Sequence, residues 1–281
     1  MALDIRTMRD SDVEEADTLW RAAFAGLGEG PPPERSDKER ALDLSRFRHL
    51  LGTDPLGSAV AEVDGRVAGF CQAHRREKTF VLGMLGVHPD FQDRGIGKRL
   101  LERALSYGEG STAQYIFSSM DPRALHRYVR AGFSLHPTVF ATKRAGAPEG
   151  DELTAAPGSA GELAVVADID RAVRGSARSE DVGFWLRAGQ RLVLDEEGGY
   201  AVVSANRLTT LAARTEEVAR RLLERVLRSP GEIGLSWIAA EQQWAVETAA
   251  TAGCTLVVRG AVMSRGVEAL PAPYLPNGLF G

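Results

Sequence analysis

The spacing of apolar positions predicts alternating strands and helices over the first half of the chain. Asp4–Met8 reads as a short strand. Ser11-Asp12 are placed to cap a helix reaching about Phe24, with Glu14 and Glu15 in its first turn, where acids are favoured. A second helix is predicted over about Lys38–Leu51. Ser58–Val63 and Arg66–Arg75 read as strands on either side of Asp64-Gly65, the signal of a two-residue type I′ hairpin. Thr79–Val87 is a strand rich in apolar residues, ended by His88-Pro89 because proline cannot donate to a ladder. Gly97–Leu105 is an amphipathic helix, Gln114–Ser119 a strand, and Pro122–Ala131 a helix closed by Gly132.

The same order recurs in the second half. Arg99-Leu-Leu-Glu-Arg-Ala-Leu105 matches Arg221-Leu-Leu-Glu-Arg-Val-Leu227 at an offset of 122, and Ala131-Gly-Phe133 matches Ala252-Gly-Cys254 at an offset of 121. A hairpin precedes each helix, at Asp64-Gly65 and at Glu197-Gly198-Gly199. Between the copies, Lys143–Gly161 is rich in Ala, Gly and Pro and lacks sustained apolar periodicity, so it reads as a linker. A loop with three consecutive prolines, Gly26–Asp37, interrupts the first half.

Composition narrows the class. The 281 residues are 44% hydrophobic and 26% charged, ordinary for a soluble globular protein. The formal net charge is −4, which leaves no bulk basic surface for nucleic acid. Residues 1–150 carry 21 basic and 21 acidic residues, and residues 151–281 carry 13 and 17. Two cysteines, Cys71 and Cys254, are too few for a disulfide framework or a cysteine-based zinc site, and no metal is expected. No run of about 18 apolar residues is present, and residues 1–10 lack the apolar stretch of a secretion signal; neither membrane insertion nor export is expected, and a cytoplasmic location follows.

The most informative segment runs from Val87 to Leu101, Val-His-Pro-Asp-Phe-Gln-Asp-Arg-Gly-Ile-Gly-Lys-Arg-Leu-Leu. It reads as a strand, a glycine-containing loop and a helix N-terminus. Glycines let backbone N–H groups line a concavity, and the helix start adds unpaired donors and the positive end of its dipole. Arg94 and Lys98 add positive charge, and the combination fits a pyrophosphate. The loop has neither the third glycine of a dinucleotide fingerprint nor the Gly-Lys-Ser/Thr of a P-loop.

Gln92-x-x-Gly95-x-Gly97 resembles the Gln/Arg-x-x-Gly-x-Gly/Ala signature of the GCN5-related N-acetyltransferase (GNAT) family. Downstream, Asp121-Pro-Arg-Ala-Leu-His-Arg-Tyr128-Val-Arg-Ala-Gly-Phe133 is similar to the family's Asn-x-x-Ala-x-x-x-Tyr-x-x-x-Gly-Phe segment, with Asp121 where asparagine is usual. The resemblance covers about residues 3–143. It implies an α+β fold, here two tandem GNAT-like domains, each a mixed and mostly antiparallel sheet flanked by helices. The implied domains are an acetyl-CoA-binding domain over 1–143, a linker over 144–161 and a degenerate GNAT-like domain over 162–281. It also implies that the backbone of Leu85-Gly86-Val87 pairs with the pantetheine arm of acetyl-CoA. Gln92, Asp93, Arg94, Gly95, Ile96, Gly97 and Lys98 then cradle its pyrophosphate, and Asp121 belongs to the cofactor-binding set. Tyr128 protonates the departing thiolate.

Acyl transfer from a thioester needs a neutral amine, a donor for the oxyanion and a route for the amine proton. A backbone N–H near Val87 is placed to serve the oxyanion. No acid lies within Phe80–Val87 or Gln114–Ser119, so the base is left among Glu77, His74, Asp90 and a water relay. In the second copy, Gln92–Gly97 falls on Arg214-Thr-Glu-Glu-Val-Ala219, both glycines are gone, and Tyr128 falls on Ala249. That half is expected to bind no acetyl-CoA.

The expected activity is direct transfer from acetyl-CoA to a primary amine, of a small molecule or a peptide, in a ternary complex, by a monomer or homodimer. Two alternatives stand beside it: an amino-sugar acetyltransferase resembling mycothiol synthase, and a non-catalytic acyl-CoA-binding or sensing protein. The family's acceptor specificity depends on the first two helices and the loop between them, about Ala22–Arg40 here, with the second domain as a further candidate contributor to the acceptor site. Cys71 and Cys254 read as core residues, His88 as a turn residue, His126 as surface, and Trp185, Trp237 and Trp244 as core or interface anchors.

Overall fold

A computed structural model describes residues 3–25, 34–144 and 153–281. The triproline run at 31–33 and residues 145–152 of the expected linker lie outside them. Two compact units form: residues 1–75 with 80–116, and residues 76–79 with 117–281.

The first unit holds β1 (Leu3–Thr7), α1 (Val13–Ala25), α2 (Asp37–Thr53), β2 (Ser58–Val63), β3 (Arg66–Arg76), β4 (Thr79–Val87), α3 (Ile96–Tyr107) and β5 (Ala113–Ser118). Its strands stand in the order β1-β2-β3-β4-β5. β2 runs antiparallel to β1 and to β3. Asp64 and Gly65 both have positive φ, +48° and +80°, the geometry of the expected type I′ turn. Ser36 caps α2 in a reciprocal capping box with Glu39. Ser11 and Asp12 lie in a 3-10 turn, Asp10–Asp12, ahead of α1. The Asp12 carboxylate accepts from the Arg9 amide at 2.7 Å and from Arg6 at 2.7 and 3.0 Å. Leu19, Phe47, Leu50, Phe70, Phe80 and Leu100 are buried in this unit.

The second unit holds α4 (Pro122–Arg130), β6 (Ser134–Lys143), α5 (Ala160–Arg174), α6 (Ser179–Arg187), β7 (Arg191–Asp195), β8 (Gly199–Val203), β9 (Leu208–Ala213), α7 (Glu216–Arg228), β10 (Ile233–Ala239), α8 (Gln243–Thr251), β11 (Thr255–Arg265) and β12 (Tyr274–Leu275). Four strands stand in the order β12-β9-β8-β7, and β6 lies between β11 and β10, antiparallel to both. Hence the division falls at residues 116 and 117, ahead of the linker expected over 144–161. β6 belongs by sequence to the first copy, yet its ladder partners are strands of the second. Residues 76–79 follow the same unit because Arg76 makes a bidentate ion pair with Asp181, at 2.8 and 2.7 Å with both side chains buried, and Thr79 donates to Ser176 at 2.8 Å.

The order of two helices, three strands, helix, strand, helix, strand occurs twice, from α1 to β6 and from α5 to β11. Gly132 and Gly253, which follow α4 and α8, both adopt positive φ, +86° and +74°. In α7 the buried side is Val218, Leu222, Leu223 and Val226, while Arg220 pairs with Glu216 and Glu247 on the opposite, solvated face. Trp185 and Trp244 are buried core residues, whereas Trp237 is half-buried.

Candidate functional site

In the first unit, β4 ends in Leu85-Gly86-Val87. Gly86 is buried, and a Cβ there would lie 3.2 Å from Leu19 of α1 and 3.2 Å from Phe70. Glycine therefore lets α1 pack directly on the strand. Leu85 and Val87, pointing to the other face by strand alternation, are half-buried. The chain leaves β4 through His88, whose N–H donates to Ala68 at 2.9 Å, and a 3-10 turn over Pro89–Phe91. Gln92 folds back, its side-chain amide donating to the Val87 carbonyl at 3.2 Å.

The loop then turns sharply. Asp93 adopts φ +60° and Gly95 φ +79°. Gly95 is the N-cap of α3, and a Cβ there would meet nothing within 4 Å, so open space faces it. No side chain caps α3 and its first turn carries no acid. Helix starts leave N–H groups without intrahelical acceptors, and Gly95, which has no side chain, caps none of them. Ile96 and Gly97 are buried, while Asp93, Arg94 and Lys98 are exposed. Lys98 also lies 3.8 Å from Glu102 one turn on. The corresponding helix of the second copy differs: Thr215 caps α7 through Val218 N–H at 3.4 Å, and Glu216 and Glu217 occupy its first turn. Carboxylates at a helix start stabilise the helix and repel an anion.

Two residues not singled out from the sequence stand beside this loop. Phe91 lies 5.6 Å from the Arg66 guanidinium and 5.5 Å from that of Arg94. Arg66 opens β3, 25 positions earlier, and nothing in a linear reading joins it to the loop.

In the second unit, Asp121 is the N-cap of α4. Its carboxylate accepts the Arg123 amide at 2.9 Å and the Arg123 guanidinium at 2.9 and 3.1 Å. The Arg123 side chain holds its carboxyl below the ordinary range. Tyr128 is buried within α4, and His126 is exposed. Of the base candidates, Glu77 is engaged by Arg171 at 2.9 Å and by the Ala177 amide at 3.1 Å. His74 is fully buried. Asp90 is exposed, with its carboxylate 3.7 Å from His88 Nδ1. Among the described residues no group of three or more His, Cys, Asp or Glu side chains is placed to hold a metal, and no helix is long and apolar enough to cross a membrane. Of the acceptor region Ala22–Arg40, positions 26–33 lie outside the described residues.

The profile of the Acetyltransferase (GNAT) family matches residues 18–133. An uncharacterized N-acetyltransferase of Archaeoglobus fulgidus is 30% identical over 112 residues, 37% of this chain and 73% of that protein. A mycothiol acetyltransferase of Streptomyces coelicolor is 32% identical over 127 residues, 43% of this chain; the match spans 40% of that protein's length. Among solved structures, a putative acetyltransferase from Pyrococcus horikoshii superposes with a TM-score of 0.79 at 20% identity, covering 99% of this chain and 96% of that one. A tandem GNAT protein from the clavulanic acid biosynthesis pathway gives 0.58 at 17% identity, covering 95% and 100%. At such identities the likeness is one of fold, and it extends over both copies.

Proposed function

Because this chain belongs to the acetyltransferase (GNAT) family, we propose that it transfers an acetyl group from acetyl-CoA to a primary amine by direct attack in a ternary complex. The domains we assign to this task are 1–143 for the donor and 162–281 as a degenerate copy, joined through 144–161.

The observation that carries the reading is the start of α3. A glycine in left-handed conformation, open space and a helix N-terminus without a side-chain cap lie at the end of the loop that leaves β4, and Arg94 and Lys98 flank them. This is a preorganised anion site with no competing acid in its first turn. The pyrophosphate of acetyl-CoA is assigned to residues 92–98, and the two amides of its pantetheine arm to the edge of Leu85-Gly86-Val87. Asp121, which caps α4, is assigned to the cofactor-binding set on the family resemblance alone. The acceptor nitrogen, neutral, adds to the thioester carbon, and an N–H near Val87 takes the oxyanion. The C–S bond then breaks, Tyr128 donates its proton to the CoA thiolate, and the amine proton leaves through a base or a water relay.

Similarity to a mycothiol acetyltransferase favours a second reading, an amino-sugar acceptor, but it spans 40% of that relative. The decisive experiment is calorimetric titration of acetyl-CoA into the whole chain and into Gly95→Glu, followed by an amine screen with Tyr128→Phe as control. One site per chain, lost in Gly95→Glu, together with turnover lost in Tyr128→Phe, supports the proposal. Binding without turnover of any amine favours an acyl-CoA sensor. No binding overturns both readings.

A further inference from the structure

The two copies differ in what lies along their third strand. In the second copy β9 and β10 start side by side: Arg207 and Gly234 form a parallel bridge, and the Gly234 amide donates to Asn206 at 2.9 Å. Beyond that bridge the edge of β9 is taken by β12. Leu211 pairs with Leu275 and Ala212 with Tyr274, and the Ala213 amide donates to Pro273 at 3.3 Å. These are the last three residues of β9, as Leu85, Gly86 and Val87 are the last three of β4.

A second correspondence points the same way. Gln242 stands 121 positions after Asp121 and, like it, immediately precedes its helix. Its side chain donates to Pro271 at 2.7 Å and accepts the Tyr274 amide at 3.0 Å. From the other side, Trp237 of β10 leaves room only for glycine at position 278, where a Cβ would lie 2.4 Å from its Nε1. Trp237 itself is held at φ +61°, rare for a bulky residue, where the register of β10 shifts between Leu235 and Ile238. Leu270, Tyr274, Leu275 and Phe280 are all buried.

We propose that the segment Leu270–Phe280 is an intramolecular occupant of the second copy's acyl-donor groove, seated where a pantetheine arm would lie. This rests on the reading of Leu85-Gly86-Val87 as the pantetheine edge of the first copy. A pantetheine arm offers amide N–H and C=O groups to a strand edge, and a peptide offers the same groups. A tethered peptide holds that edge at a high effective concentration that free acetyl-CoA must outcompete. The capped, acidic start of α7 removes the pyrophosphate site as well. The second copy is thus closed at both ends of the cofactor, and the chain takes one acetyl-CoA.

Hydrogen exchange on the full chain, with and without saturating acetyl-CoA, tests this alongside calorimetric stoichiometry. The amides of Ala213, Tyr274 and Leu275 are expected to exchange at least 100-fold slower than unstructured chain, with less than a twofold change when acetyl-CoA is added. In Gly278→Leu the protection over 272–281 is expected to be lost while that of β4 and α3 is kept. Absent protection in the wild type, persistence of protection in Gly278→Leu, a tenfold acceleration by acetyl-CoA or two acetyl-CoA sites per chain would each overturn the proposal. No acetyl-CoA binding at all, with protection intact, sinks the functional reading and leaves the seated segment standing.

Discussion

The side-chain amide of Gln92 donates to the backbone carbonyl of Val87 at 3.2 Å, so the loop leaving β4 is tied back to the strand's last residue. That bond sets the path along which the chain reaches Gly95. A neutral hydrogen bond is worth about 1 kcal/mol, or roughly a fivefold change in an equilibrium constant. Gln92→Ala is therefore expected to raise KM for acetyl-CoA by about fivefold with kcat within twofold of wild type. Steady-state kinetics separates the two parameters, and an equal loss in kcat would count against a purely positioning role.

Arg178 and Asp170 form an ion pair at 3.1 Å with both side chains fully buried. Arg178 also donates to the Tyr200 and Thr210 hydroxyls at 2.8 Å each, and to the Tyr274 hydroxyl and the Gly281 carbonyl. Removing one partner strands a buried charge, which costs about 3–5 kcal/mol. Arg178→Met should lower the stability of the chain by that amount in urea unfolding. The double variant Arg178→Met with Asp170→Asn should lose less than the single one, because the uncompensated carboxylate is gone.

Thiol reactivity separates the two cysteines. Burial pushes the Cys71 thiol up to about 12, and its Sγ lies 3.6 Å from the Leu100 carbonyl. Cys254 is also raised by burial but is partly exposed. A thiol reagent at pH 8 is expected to modify one cysteine per native chain and two in denaturant, because the thiolate is the reactive form and must be accessible. Cys254→Ser should then leave no rapidly reacting thiol in the native state.

The pH dependence of stability has a named source in Asp12. Hydrogen bonds from the Arg6 side chain, with the Arg9 amide, hold its carboxyl below the ordinary range despite burial. A depressed folded value contributes stability that is present above the unfolded value, about 3.9, and is lost as pH falls through the folded one. Asp12→Asn should cost about 2 kcal/mol at pH 7. The gap from wild type should close below about pH 3.9, as read by urea unfolding across a pH series.

Much of the architecture was legible in the letters because its causes are local. Asp64-Gly65 demanded positive φ, His88-Pro89 ended a ladder, and Gly95-Ile96-Gly97 marked a strand-to-helix turn; each acts through the backbone of its own few residues. The duplicated order was legible too, since Arg99–Leu105 and Arg221–Leu227 need the same apolar stripe to pack.

Tertiary structure alone decided what depends on pairing across long separations. Backbone hydrogen bonds in a ladder are blind to side-chain identity, so the sequence of β6 did not announce that it would pair with β10 and β11, 90 to 130 positions away. The same blindness hid β12 on the edge of β9 and Arg66 beside Phe91. A strand's partner is chosen by which apolar faces must be covered at once, a property of the whole chain. A turn's conformation is chosen by the few atoms that must avoid one another within it, and that much a linear reading can supply.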